Sequence, residues 1–179
     1  MVNFSYYRVF LPSGKAFHNC SGVICALKKE SAKPIASRSS DGPGDASDIF
    51  NHNVGKTSGT EEMKGSWWCI DLGENYLLGI THYALKHGRI DGESILPWQL
   101  EGSNDGISWK KLETSHNSDN PNDPPQFGDP HPFFTGTCSV EDKAGAFRFF
   151  RILQTGRHYS GKYGVYLSGV ELYGILLDV

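Results

Sequence analysis

The apolar residues of this chain come in short alternating runs, and nothing else in the sequence limits the fold as strongly. The runs lie at 5–12, 22–29, 66–73, 77–88, 97–103, 108–115, 147–156 and 165–174. In "GITHYALKH", Ile80, His82, Ala84 and Lys86 fall on one side of an extended chain, and Thr81, Tyr83, Leu85 and His87 on the other. That is the period of a β-strand. "FRFFRILQTG" sorts the same way, with Phe147, Phe149, Arg151 and Leu153 against Arg148, Phe150, Ile152 and Gln154. No segment carries a long stripe at helical spacing. The best short helix is "DASDIFNH", 45–52, with Asp45 or Ser47 placed as N-cap.

One stretch, "WQLEGSNDGISWKKLE" from Trp98 to Glu113, reads as a β-hairpin. Its turn, Ser103-Asn104-Asp105-Gly106, ends on a glycine free to take positive φ. Trp67, Trp98 and Trp109 each stand in strand register with apolar neighbours, so all three are expected in the core. Long polar loops separate the runs at 30–65, 88–96, 116–135 and 156–164. The third holds Pro121, Pro124, Pro125, Pro130 and Pro132, which no regular element accommodates. With 21 Gly and 9 Pro in 179 residues, the expected fold is all-β: an antiparallel β-sandwich with long loops and at most one or two short helices. One domain spanning 1–179 is the simplest organisation.

A net charge of −3 offers no basic field for a nucleic-acid backbone, so nucleic acid is not an expected partner. No run of 18 apolar residues is present, so membrane insertion is not expected either. Catalytic signatures are missing: there is no Gly-x-Ser-x-Gly elbow, and "VGKTSG" (54–59) lacks the upstream glycine of a phosphate loop. No enzyme activity is therefore expected. The four cysteines, Cys20, Cys25, Cys69 and Cys138, match no secreted scaffold and are expected as reduced thiols. The sequons Asn3-Phe4-Ser5 and Asn19-Cys20-Ser21 point the other way, but such triplets arise often by chance.

The segments "WWCIDLG" (67–73), "WQLEGSNDGISWKKLE" (98–113), "FRFFRI" (147–152) and "LSGVELYG" (167–174) appear in an order that resembles the discoidin, or coagulation-factor type C, domains. These are jelly rolls of the galactose-binding-like fold, and the clearest match spans 66–174. "THYALKHG" (81–88), Trp98 to Ser103, the His116-Asn117-Asp119 element and "FRFFRILQTG" are more similar to the branch found in BTB-domain proteins and large ubiquitin ligases. The resemblance implies a module of a larger intracellular, cytoplasmic protein, with a protein or peptide partner and a role in substrate recruitment or scaffolding. The alternative it leaves open is an extracellular domain that binds carbohydrate or phospholipid head groups.

Loops at strand ends of a jelly roll gather at one rim. The ligand-binding residues expected there are His87, Arg89, His116, Asn117, Asp119, Arg157, Tyr159 and Tyr163. Guanidinium forks and aromatic walls suit a carboxylate-bearing peptide. The same set suits a sugar, stacked on tyrosine and bonded by Asn117 and Asp119. No cofactor is expected beyond a structural calcium, for which "SRSSDGPGDASD" offers Asp41, Asp45 and Asp48. The competing reading of that loop is a solvated acidic cap on the short helix that follows.

Overall fold

The computed structural model describes residues 6–13, 20–30, 32–51, 57–88, 97–114, 135–140, 145–157 and 161–179. The elements in chain order are β1 (Tyr6–Phe10), α1 (Val23–Lys29), β2 (Ile35–Arg38), a 3-10 helix (Ala46–Phe50), β3 (Ser58–Gly59) and β4 (Trp67–Asp71). There follow β5 (Tyr76–His87), β6 (Trp98–Ser103), β7 (Lys110–Thr114), β8 (Thr135–Ser139), β9 (Phe149–Gln154) and β10 (Tyr166–Asp178). They form two antiparallel sheets, β1-β10-β5-β8 with β3 beside β10, and β2-β4-β9-β6-β7. The sheets face each other as the two layers of a sandwich, as the alternation demanded.

The core lies between the layers. Trp68, Ile70, Trp98, Leu100, Phe150 and Ile152 from one sheet share a single cluster with Leu78, Leu85, Val170 and Leu172 from the other. Two tryptophans also cross it with their polar ends. Trp98 donates Nε1–H to the Tyr83 hydroxyl at 2.9 Å, and Trp68 donates to the Val165 carbonyl at 3.0 Å. Each burial therefore removes a large apolar area from water without stranding the indole N–H.

The hairpin forms where its sequence places it. Gly106 takes φ +70°, and the Asp105 carboxylate accepts the N–H groups of Ile107 and Ser108 at 2.8 and 2.7 Å. These bonds hold the Asp105 carboxyl below the usual carboxylate range. The register slips between Leu100 and Glu101, so Leu100 opposes Glu113 while Glu101 opposes Lys111. That slip contributes to the first correction. Trp98 is buried, but Trp109 is half-exposed and lies against the Arg151 guanidinium, 4.2 Å from its ring centroid. On β4 the core tryptophan is Trp68, and Trp67 is the half-buried one, because a shift of one residue moves a side chain to the opposite face.

The run 22–29 is helix α1, not a strand. Val23, Ile24 and Leu27 are its buried residues, an i, i+1, i+4 set that a helix turns to one side. Lys28 and Lys29 stand in its last turn, where the helix dipole favours positive charge. The deciding partner is remote: Glu171 on β10 accepts the N–H of Ile24 at 2.8 Å and of Cys25 at 3.3 Å. Short strands β2, β3 and β8 lie within or at the edge of stretches expected as loop. The 45–52 helix is present as the 3-10 turn, capped reciprocally by Asp45 and Asp48.

The cysteines require a further correction. Cys20 and Cys25 form a disulfide across the first turn of α1, their Cα atoms 5.4 Å apart, within the usual range for such a bond. Cys69, buried on β4, and Cys138, on β8, stand outside it. Burial pushes the Cys69 thiol up to about 11.

Candidate functional site: the rim of the sandwich

The end of β5 and the start of β10 lie side by side, with His87 opposite Leu167 and Gly88 N–H bonded to the Tyr166 carbonyl at 3.3 Å. The third member is β3, which pairs Gly59 with Tyr166 and Ser58 with Leu167. From the other sheet, β9 runs out past Gln154 into Thr155, whose N–H bonds Pro97 O at 2.9 Å just before β6. The ends of five strands thus converge on one edge, with residues 155–157 and 161–165 beside it.

Arg157 and Tyr163 meet on that edge. The exposed Arg157 donates Nε–H to the Tyr163 hydroxyl at 2.8 Å, and its guanidinium carbon lies 5.3 Å from the ring centroid. Hydrogen bonding and charge from Tyr163 raise the guanidinium above its ordinary value, so its positive charge is permanent. Tyr163 is itself anchored. Glu62, in the segment after β3, accepts the N–H groups of Tyr163 and Gly164 at 2.9 Å each, and the Tyr166 hydroxyl at 2.7 Å. One carboxylate therefore ties the segment after β3 to the stretch 163–166 that leads into β10. The sequence reading missed Glu62; its partners lie more than 100 residues away, and Glu61 beside it looks the same in sequence.

The residues expected at the rim fall into three groups. His87 ends β5 as expected but is 3% exposed, so it is part of the packed interior under the rim. The alternation along β5 turns this imidazole inward with Leu85. Arg89, His116, Asn117, Asp119 and Tyr159 lie outside the described residues. Arg157 and Tyr163 are the pair the structure brings together.

The aspartates 41, 45 and 48 do not assemble as a metal site. Among the described residues no three His, Cys, Asp or Glu side chains gather where they could hold an ion. The carbonyls of this loop turn instead toward Arg38, whose side chain is 8% exposed. Its guanidinium donates to Pro43 O at 3.0 Å, Gly59 O at 2.8 Å, Gly42 O at 3.3 Å and Gly44 O at 2.8 Å, and it pairs with Asp41. Asp41 is otherwise open to solvent, and Asp45 and Asp48 cap each other. A fixed organic cation thus stands where oxygen ligands converge, as the loop's composition suggested for calcium. Its planar fork can satisfy several carbonyls at once.

No protein-family model matches the chain. It is 38% identical over 122 residues to the E3 ubiquitin-protein ligase Ufd4 of Drosophila melanogaster, and 37% identical over 123 residues to the E3 ubiquitin-protein ligase hecd-1 of Caenorhabditis elegans. Each match takes in 67% of this chain but only 4% of the ligase, so the chain spans a small segment of these relatives. Among solved structures it is similar to the family 32 CBM of Clostridium perfringens NanJ in complex with galactose. The TM-score is 0.57 at 13% identity, covering 78% of this chain and 93% of that one.

Proposed function

We propose that this chain, which has the discoidin-type, galactose-binding-like fold, is a non-catalytic module that recognises a protein partner at the rim, within a ubiquitin-ligase type of protein. The observation that supports this reading is the Arg157–Tyr163 pair held in place by Glu62. A guanidinium whose Nε is already committed presents its outer nitrogens in a fixed direction, which suits a carboxylate or backbone carbonyl of a polypeptide. The aromatic face beside it supplies apolar contact at low entropy cost. Kinship to segments of two ubiquitin ligases supports a recruiting or scaffolding role.

The second reading is a glycan ligand. It is favoured by the fold neighbour in complex with galactose, and a tyrosine with an adjacent hydrogen-bonding fork also suits a sugar ring.

A chemical-shift titration separates the two. An acetylated peptide ending in Asp-Glu with a free C-terminus is added in one arm and galactose in the other. We expect saturable shifts at the Arg157, Lys162 and Tyr163 amides with the peptide only. Arg157→Ala should weaken binding by roughly 10- to 150-fold, the loss of one charge-assisted hydrogen bond. Saturation by galactose alone would establish the glycan reading, and saturation by neither would remove binding from the rim.

A further inference from the structure

We propose that Cys20 and Cys25 are a reversible dithiol–disulfide couple, closed by exchange with a small disulfide of the glutathione class, and that its closure fastens the first turn of α1 onto β10. The site is remote from the Arg157–Tyr163 pair and rests on none of the reading given to the rim.

Three independent features converge there. The two sulfurs are in direct contact on Cα atoms 5.4 Å apart, and both residues are half-exposed, so a small disulfide can reach them. Cys20 has φ +48°, the one non-glycine in the left-handed region among the described residues. A side chain in that region is disfavoured and persists only where the surroundings impose it. The bridge is a covalent constraint on that residue, and opening it would remove the constraint. Third, the loop between the cysteines is pressed against Glu171: a Cβ at Gly22 would overlap its carboxylate carbon. The same carboxylate accepts the N–H of Ile24 and of Cys25 itself. The bridge therefore closes over the point where α1 is hydrogen-bonded to the sheet. Farther along α1, Lys28 donates to Phe50 O at 2.8 Å, so the 3-10 helix is joined to the same element.

The chemistry is balanced in two exchanges. The thiolate of one cysteine attacks a sulfur of glutathione disulfide, forming a mixed disulfide and releasing one glutathione thiolate. The thiolate of the second cysteine attacks the cysteine sulfur of that mixed disulfide, forming the Cys20–Cys25 bond and releasing the second. Two protein thiols are oxidised, one disulfide is reduced, and the two cysteine protons end on the two glutathione thiols. Cys69 is not a competitor, because it is buried and its thiol holds its proton.

The test equilibrates the full chain in glutathione buffers from fully reduced to fully oxidised, quenches with acid and alkylates the unfolded protein for intact mass. Four alkylated thiols are expected in reducing buffer and two in oxidising buffer, with Cys20 and Cys25 as the protected pair. Cys20→Ser should carry one glutathione on Cys25 instead. Amide exchange measured on the same samples should be at least 10-fold faster at Ile24 and Cys25 in the reduced form. Four alkylated thiols in every buffer would overturn the couple, and so would a bridge that includes Cys69 or Cys138. A Cys20–Cys25 bridge that leaves Ile24 and Cys25 exchange unchanged would overturn the fastening of α1.

Discussion

Glu171 is 1% exposed, and its carboxylate accepts N–H groups from Ile24, Cys25 and Leu172. Desolvation dominates these bonds and the nearby Lys28 charge, pushing the carboxyl from 4.5 up to about 7. An acid raised in the folded state binds a proton more tightly there than in the unfolded chain. Its contribution to stability is then fully present below about pH 4.5 and is lost as pH rises through 7. The upper bound is about 3.5 kcal/mol, from roughly 1.4 kcal/mol per unit. Urea unfolding should accordingly give lower stability at pH 7.5 than at pH 5.5, and Glu171→Gln should flatten that decline. Asp71 has the opposite sign: its bidentate pair with Arg148, 2.7 Å on each oxygen, offsets its desolvation and lowers its pKa, so its contribution fades in acid. An unaltered slope in Glu171→Gln would mean that the pH dependence originates elsewhere.

At the scale of elements, Arg38 does the work of a cross-brace. It sits at the end of β2, its guanidinium carbon is 5.7 Å from the Trp68 ring centroid on β4, and its nitrogens reach the 42–44 carbonyls and β3. Arg38→Ala should cost about 2–4 kcal/mol in chemical unfolding, since it strands several carbonyls at once. Arg38→Lys should recover only part of this, because an ammonium cannot imitate the fork. Millimolar calcium and chelator should leave the wild-type melting curve where it is, given that the carbonyls are already taken. A calcium-dependent rise in Tm would restore the ion to this loop. The strands themselves were legible because alternation is local information. Helix α1 was not: its Val and Ile suit a strand, and Glu171, which holds its first turn, is 147 residues from Ile24. The Trp67–Trp68 choice failed for a related reason, since the run showed the period of β4 but not which parity faced inward.

Across the whole molecule, what the sequence conveyed about the rim was its membership by proximity along the chain. Arg157 and Tyr163 are six residues apart and meet; Glu62, 101 residues from Tyr163, could only be found in three dimensions. His87 was placed at the right strand end, but its depth depends on the packing around β5. Remote partners decide each of these misses, which is why a sandwich built mostly from long-range pairings yields its strands more readily than its surface.

The pairing of β1 with the end of β10 also has a mechanical meaning. Tyr6 opposes Asp178 and Phe10 opposes Gly174, so the two described extremities leave the same end of the sandwich about one strand spacing apart. Traction between Tyr6 and Val179 would load the rungs one after another, opening the pair as a zipper does, since antiparallel ladder bonds run across the strands. Arg8, paired with Glu30 and Asp178, is an early rung of that seam. Optical-tweezer pulling between these two points should detach β1 at low force, while the β5–β10 pairing and the distant rim remain intact until a separate, later event. Simultaneous loss of all structure would mean that the seam and the core yield together.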